Sequence, residues 1–209
     1  AELIANHFHI LPETTNLVQG TDEDDVLVGT DANDRIEGSD GHSPYRNPFD
    51  ENRDDGYDIL EGGAGDDVLI GGGNDNTTTD LYRFDDGSGN DVVLGFLIDG
   101  SIVWNGFGVD TGMRVSGGPY HDRLEIIEDI NGSGIDSAQD ILDTATENED
   151  GWAVLDLGSG NTITLHGVRL AELIANHFHI LPETTNLVQG TDEDDVLVGT
   201  DANDRIEGS

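Results

Sequence analysis

Aspartates that follow glycine-rich stretches are the residues of this chain whose type and spacing best suit a chemical task. The clearest example is Gly62 to Ile70, G-G-A-G-D-D-V-L-I, in which Asp67 stands in the sixth place. Glycines adopt positive φ angles readily, so six residues can form a tight turn. The carboxylate of Asp67 then supplies a hard oxygen ligand of the kind that calcium prefers. The residues after it predict a very short strand in which Leu69 points inward.

The same spacing recurs in degenerate copies. Gly20 to Val28 and Gly29 to Glu37 each keep the first glycine, the aspartate in place six and the aliphatic residue in place eight. A third copy starts at Gly38 and is completed by Gly56 to Glu61, so His42 to Asp55 is an insertion in a turn, where added length costs little. Such short strands bury too little surface alone, and they must stack on copies of themselves.

These copies fit the pattern G-G-x-G-x-D-x-U-x, where U is a large aliphatic residue, and the chain therefore resembles the RTX family of calcium-binding repeats. Members of that family fold such blocks into a parallel β-roll with two nonapeptides per coil. The resemblance implies that Asp25 faces Asp58, and that Asp34 faces Asp67 in the same way. Each pair would help to hold a calcium ion, with backbone carbonyls of the turns as the remaining ligands.

Further candidate ligands follow from the same resemblance. Asp58 would also face the turn that contains Asp75 and Asn76, in which the aspartate stands one place early. The candidate calcium ligands of the nonapeptide turns are Asp25, Asp34, Asp58, Asp67, Asp75, Asn76, Asp91, Asp195 and Asp204. The alternative is a set of surface turns without a metal, but the recurrence of copies in register favours calcium.

A second type of candidate loop begins at Asp129 and precedes a segment with helical spacing of apolar residues. Its carboxylate and amide spacing resembles an EF-hand loop. The candidate ligands of this loop are Asp129, Asn131, Ser133 and Asp140. The alternative is a metal-free turn in which Asp136 or Ser137 caps the helix.

The charge of the chain constrains its partners. Eight basic residues against 45 Asp and Glu give a formal net charge of −37. Such a chain repels itself, so we expect the metal-free chain to be largely expanded and calcium to drive folding. The acidity argues against nucleic acid and anionic membranes as partners, and no run is apolar enough to span a membrane. Cysteine is absent, and calcium sites of this kind suit an extracellular, secreted bacterial protein.

A long exact repetition indicates a tandem array, because residues 1–39 reappear identically as residues 171–209. We favour a natural array over an engineered duplication, and we expect consecutive units to abut in a stiff rod or filament. The predicted divisions are residues 1–10 as the end of a preceding unit, 11–95 as the β-roll, 96–180 as a β-rich capping region, and 181–209 as the start of the next unit.

The capping region reads as mostly strands. Asp99-Gly100 predicts a hairpin between residues 96–98 and 102–104, and residues 153–157 and 162–165 predict another. Strands are also predicted at 123–127 and 177–180, and a helix over 135–145. The segment from Gly158 to Val168 resembles the capping region that follows RTX rolls. The predicted fold is therefore mainly all-β, a parallel β-roll followed by a β-rich cap with one short helix.

Known catalytic motifs are missing from the sequence: there is no nucleophile elbow, no H-E-x-x-H and no phosphate loop, so we expect no enzyme. The leading hypothesis is a calcium-stabilised structural repeat of a large secreted adhesin, matrix or filament protein, which provides extension, rigidity and self-association. One alternative is a glycan- or surface-binding module that uses the His42–Asp55 insertion. Another is the non-catalytic RTX region of a secreted toxin or hydrolase.

Overall fold

The structure is a computed structural model of the chain. It describes residues 11–14, 16–21, 23–38, 57–72, 79–98 and 121–182, together with the backbone of four strands at 101–104, 110–115, 186–189 and 204–207. The His42–Asp55 insertion and residues 1–10 lie outside the described residues.

Most of the regular elements in the described chain are short strands. In order, they are β1 (Asn16–Gln19), β2 (Val26–Val28), β3 (Asp34–Glu37), β4 (Ile59–Glu61), β5 (Val68–Ile70), β6 (Leu81–Phe84), β7 (Asn90–Leu94), β8 (Ser101–Trp104), β9 (Asp110–Val115), β10 (Arg123–Ile127), β11 (Thr146–Glu147), β12 (Ala153–Asp156), β13 (Thr162–His166), β14 (Phe178–Leu181), β15 (Asn186–Gln189) and β16 (Asp204–Glu207). The α-helix is α1 (Ala138–Thr144), and three short 3-10 helices lie at Ile130–Gly132, Leu170–Glu172 and Ala175–His177.

The first seven strands alternate between two facing sheets. The first sheet has the order β1-β3-β5-β7-β13-β12-β11, and the second has the order β14-β10-β6-β4-β2. Neighbouring strands from β1 to β7 within each sheet are parallel. Two strands therefore complete one coil, and the prediction of a mainly all-β parallel roll with one short helix is confirmed.

One residue of each short strand fills the space between the sheets. Leu60 of β4 and Leu69 of β5 are both 0% exposed, whereas the flanking positions of β2 are exposed. Period-2 alternation places every second side chain inward, so a three-residue strand contributes one core residue. Stacked coils join these residues into one continuous core, which a single coil lacks.

The C-terminal part extends the same sheets and shares their core. β10 pairs with β6 and β14 with β10 in the second sheet, while β13 pairs with β7 in the first. The antiparallel strands β12 and β11 then end the first sheet, and α1 packs beside β12 and β14. A sheet continued by further strands and a helix presents less open edge to solvent.

Several local predictions can be compared with these elements. The strand at 123–127 and the hairpin of β12 and β13 are confirmed. The strand predicted at 177–180 is present as Phe178–Leu181, because His177 ends a 3-10 helix. The helix begins only at Ala138, because Ser137 is extended and caps it.

The hairpin predicted between residues 96–98 and 102–104 is wrong, since β8 pairs with β9. Leu97 instead exchanges two hydrogen bonds with Asp122, and the neighbouring Phe96 is buried.

The second copy of the repeated sequence reproduces the pairing of the first. β15 and β16 form a parallel pair in which Asn186 lies opposite Asp204. The same register joins Asn16 to Asp34 in β1 and β3. Identical sequence thus gives the same local strand pairing at both ends of the repetition.

Candidate metal centre

Aspartates at equivalent places in the turns lie in two columns along the roll. The first column runs through the residues that directly precede β2, β4, β6 and β10, namely Asp25, Asp58, Asp80 and Asp122. The second column runs through the equivalent register position of β3, β5 and β7, namely Asp34, Asp67 and Asp91. The register therefore brings Asp25 next to Asp58 and Asp34 next to Asp67.

In both columns, one carboxylate oxygen of a later member accepts from the backbone N–H of the member before it and so connects two coils. In the first column, the backbone N–H of Asp25 donates to Oδ1 of Asp58 at 3.0 Å. In the second, the N–H of Asp34 donates to Oδ1 of Asp67 at 2.7 Å, and the N–H of Asp67 donates to Oδ1 of Asp91 at 2.9 Å. Oδ1 of these carboxylates is thereby engaged in holding one coil against the next.

The other carboxylate oxygen of Asp58 and of Asp67 has no donor. Both side chains are 0% exposed, and Oδ2 of each is buried without a hydrogen-bond partner. Burial raises the pKa of Asp58 and of Asp67 to about 6. A buried carboxylate oxygen without a partner is unfavourable, so this geometry suits a bound cation.

The first glycine of each turn makes room for that oxygen. A Cβ on Gly62 would lie 2.2 Å from Oδ2 of Asp67, and a Cβ on Gly38 would lie 2.2 Å from Oδ2 of Asp58. The same point beside Gly38 lies 2.0 Å from the carbonyl oxygen of Gly71 in the next coil. A carboxylate oxygen and a main-chain carbonyl oxygen therefore approach one position, and both are hard ligands suited to calcium.

Carbonyls are needed to complete such a site. Among the residues that the structure describes, no three His, Asp or Glu side chains converge closely enough to hold a metal ion by themselves. Calcium takes six to eight oxygen ligands, including backbone carbonyls. The residues present fit calcium if the turn backbone contributes, and they do not form a cage of side chains alone.

The structure does not describe the side chains of four candidate ligands. Asp75, Asn76 and Asp195 lie outside the described residues, and only the backbone of Asp204 is described, at the start of β16. The position in register with Asp58 belongs to Asp80.

Asp80 and Asp122 were not among the residues selected from the sequence. Their signal is an aspartate followed two places later by a core residue, here Tyr82 and Leu124, both 0% exposed. The same spacing separates Asp67 from Leu69. The glycine pattern hides this signal, because neither position ends a six-residue glycine turn.

The EF-hand-like loop is held by its own hydrogen bonds. Asp129 Oδ1 accepts from the N–H of Gly134 at 2.8 Å, and Asn131 Oδ1 accepts from the N–H of Gly87 at 2.7 Å. Asp140 Oδ2 accepts from the Ser137 hydroxyl at 2.5 Å. Ser133 Oγ accepts from the N–H of Ile135 at 3.2 Å. These contacts hold the loop against the β6–β7 turn and cap α1, and calcium binding here stays a prediction.

Comparison with known proteins agrees with the repeat pattern. Residues 15–42, 54–78 and 185–209 match the family described as RTX calcium-binding nonapeptide repeat (4 copies). No curated protein matches the chain.

Two solved structures are similar to it. The extracellular lipase LipA from Serratia marcescens shares 23% identity at a TM-score of 0.42, over 78% of this chain and 20% of the lipase. The AlgE6R3 subunit of the mannuronan C5-epimerase from Azotobacter vinelandii shares 23% identity at a TM-score of 0.37, over 77% of this chain and 80% of that subunit. The chain thus spans only a fifth of the length of the lipase.

Proposed function

The three matched segments are RTX calcium-binding nonapeptide repeats, and from this premise we propose that the chain is a calcium-stabilised structural repeat of a larger secreted protein. Calcium binds in the stacked turns and stabilises the roll. The folded unit provides extension and rigidity, and it associates with identical units. This role is not catalytic.

The observation that carries the proposal is the pair of buried, donor-free oxygens in the aspartate columns. Oδ2 of Asp58 lies in the first column and Oδ2 of Asp67 in the second. Burying an ionised carboxylate without a partner costs several kcal/mol unless the group is neutralised or paired. A cation at each position removes that cost, and it also connects adjacent coils.

The net charge supports the same dependence on calcium. With a formal charge of −37 over 209 residues, the compact state brings many carboxylates together. Repulsion among them opposes folding. Each calcium ion adds two positive charges within an aspartate column, where the local negative charge is dense, so binding and folding are coupled.

Self-association is supported by the exact repetition and by the first coil. Residues 171–209 repeat residues 1–39, so one unit continues directly into another. On β1 and β2, at the edges of the two sheets, the apolar side chains of Leu17, Val26 and Val28 are 59%, 68% and 53% exposed. The proposed occupant of this surface is an adjacent copy of the unit, which would cover both the apolar side chains and the sheet edges.

An extracellular location accords with the proposed metal. Calcium sites of modest affinity fill at the millimolar concentrations found outside cells, and the chain has no cysteine to form disulfides in its place. Within the described residues, no helix has the length and apolar character needed to cross a membrane. The alternative of glycan or cell-surface binding depends on the His42–Asp55 insertion, which lies outside the described part of the chain.

The calcium dependence can be tested by circular dichroism of the 209-residue chain in chelator and during calcium titration, with magnesium as the control ion. We expect a weakly structured spectrum in chelator and a cooperative gain of β-structure with calcium. Magnesium should act poorly, because it loses its water reluctantly and demands near-octahedral geometry. A full β-spectrum in chelator would refute the proposal.

Self-association has its own test. In saturating calcium, light scattering should show concentration-dependent association of the folded chain. A double variant, V26T/V28T, should reduce it, because both side chains are exposed. If the chain folds with calcium but stays monomeric at all concentrations, self-association is refuted and the proposed role of calcium is unaffected.

A further inference from the structure

We propose that the turns of one roll are not equivalent toward calcium. Calcium binds at Asp58 and Asp67. In the first two turns, hydrogen bonds from Thr21 and Thr30 to the aspartate carboxylate replace the metal. This inference rests on the proposed function and refines it, since it states which aspartates the metal engages. It narrows the ligand set expected from the sequence, in which the aspartates of all turns were equal candidates.

The first two turns satisfy their aspartates with protein donors. Asp34 Oδ2 accepts from the backbone N–H of Thr30 at 2.5 Å and from the Thr30 hydroxyl at 2.8 Å. Asp25 Oδ2 accepts from the N–H of Thr21 at 2.6 Å and from the Thr21 hydroxyl at 2.9 Å. Two hydrogens therefore point at the oxygen that would otherwise face a cation.

The turn of Asp67 lacks this arrangement. The residue in place two is Gly63, which has no hydroxyl, and Asp67 Oδ2 has no donor. Gly63 has φ of +88°, and a Cβ there would lie 2.3 Å from the carbonyl oxygen of Thr30. Threonine is thus excluded from place two of this coil by the coil stacked on it. Thr30 itself has β1 on that side, where Asn16 Nδ2 donates to the Thr30 hydroxyl at 3.4 Å.

Asp122, at the far end of the first column, also accepts protein hydrogen bonds at both carboxylate oxygens. Asp122 Oδ1 accepts from the N–H of Asp80 at 2.9 Å, and its Oδ2 accepts from the N–H of Leu97 at 2.8 Å. Among the described column residues, the buried donor-free carboxylate oxygens belong to Asp58 and Asp67 alone. Protein donors therefore serve Oδ2 of Asp25, Asp34 and Asp122, whereas Oδ2 of the interior residues Asp58 and Asp67 has none.

Calcium is expected to act on the interior of the roll, while the first coil is held by its own hydrogen bonds. A cation beside Asp34 Oδ2 would have to displace two hydrogens already directed at that oxygen. Beside Asp67 Oδ2 it displaces none. In a tandem array, each unit would then begin with turns that need no metal.

The test is the change in bound calcium per chain, measured by equilibrium dialysis on the 209-residue chain and its variants. D67N and D58N should each lose about one calcium ion. D34N should lose none, although it loses the contacts to Thr30. Comparing variants removes any contribution from turns outside the described residues. Circular dichroism in saturating calcium establishes that each variant is folded.

The outcomes separate the two proposals. A wild-type chain that binds no calcium would refute the proposed function itself. Loss of one calcium ion from folded D34N, equal to the loss from D67N, would overturn only the present inference.

A second measurement decides the matter if D34N does not fold. In a crystal structure grown in millimolar calcium, we expect an ion at about 2.3–2.6 Å from Oδ2 of Asp58 and of Asp67. No ion should lie at that distance from Oδ2 of Asp25 or Asp34. An ion coordinated by either of these oxygens would overturn the inference.

Discussion

At the scale of single residues, the first glycine of a turn and the aspartate that ends it occupy adjoining space. Gly62 is required by this closeness and not by its backbone angle, because its φ lies outside the left-handed region while a Cβ would meet Asp67 Oδ2 at 2.2 Å. Gly87 is the opposite case, since its φ is +79° and nothing lies within 4 Å of a Cβ placed there. Two glycines of one roll are thus needed for different physical reasons.

This contrast yields a matched pair of variants. G62A should displace Asp67 Oδ2 and raise the calcium concentration at the midpoint of folding by about tenfold or more. G87A should show only the cost of a left-handed alanine, about 1–2 kcal/mol in the free energy of unfolding, with calcium stoichiometry unchanged. Calcium titrations followed by circular dichroism measure both. Equal midpoints for G62A and G87A would contradict the role assigned to Gly62.

Asp122 gives a prediction on pH. Burial is the main effect and raises the pKa of Asp122 to about 7, although the N–H groups of Leu97 and Asp80 act in the opposite direction. The unfolded value is about 3.9, so the folded state holds the proton more tightly. The stability contributed by this group is therefore complete below about pH 4 and is lost as the pH rises toward 7.

The variant D122N should remove this contribution. Its free energy of unfolding in saturating calcium should fall less steeply between pH 4 and 7 than that of the wild type, by up to about 1.4 kcal/mol per pH unit. Urea unfolding at several pH values measures the slope. D143N is the control, because Asp143 is exposed on α1. If D122N and the wild type share one slope, the assignment to Asp122 is wrong.

At the scale of elements, each strand of the roll is too short to be stable alone and depends on one inward residue. Leu69 is the inward residue of β5 and is 0% exposed. It lies opposite Ile36 and Val93 in the neighbouring strands, which are also 0% exposed. Removal of one such side chain leaves a cavity between coils, because the surrounding structure relaxes only partially.

L69A should therefore lower the free energy of unfolding in saturating calcium by about 2–5 kcal/mol. The matched control is V26A in β2, whose side chain is 68% exposed, measured at a protein concentration too low for self-association, with an expected change within about 0.5 kcal/mol. Urea unfolding of both variants provides the comparison. A loss below about 1 kcal/mol for L69A would show that stacking of inward residues does not support the roll.

At the scale of the whole molecule, two effects of calcium must be distinguished, because any cation screens a chain of charge −37. At 1 M salt the screening length is about 3 Å, so repulsion between surface carboxylates is largely removed. Salt does not supply a ligand to the buried Oδ2 of Asp58 and Asp67. We therefore expect 1 M sodium chloride in the presence of a chelator to leave the chain largely unfolded.

Millimolar calcium at the same salt concentration should restore the fold. Circular dichroism and the hydrodynamic radius report the two states. Full folding in sodium chloride and chelator would show that general screening of charge is sufficient for folding. The donor-free oxygens of Asp58 and Asp67 would then have no role in it.

Much of the fold could be read from local pattern. The recurring aspartate and the aliphatic residue two places later predicted β2, β3, β4 and β5, because one turn and one inward residue define each of these strands. Local pattern failed at residues 96–104, where it predicted a hairpin that the described strands do not form. There the burial of Phe96 and the bonds between Leu97 and Asp122 prevail over the turn signal of Asp99-Gly100.

The sequence by itself determined the repeating turn, the short strand after it and the oxygen chemistry that suits calcium, because these depend on neighbours within nine residues. The two strands per coil were expected only from the resemblance to RTX repeats. Only the tertiary structure decided that Asp80 and Asp122 continue the first column. It also decided that Asp58 and Asp67 each keep a buried carboxylate oxygen without a hydrogen-bond donor, while Asp25 and Asp34 accept hydrogen bonds from threonine. Both outcomes depend on which coil is stacked against a given turn, and residues far apart in the chain set that stacking.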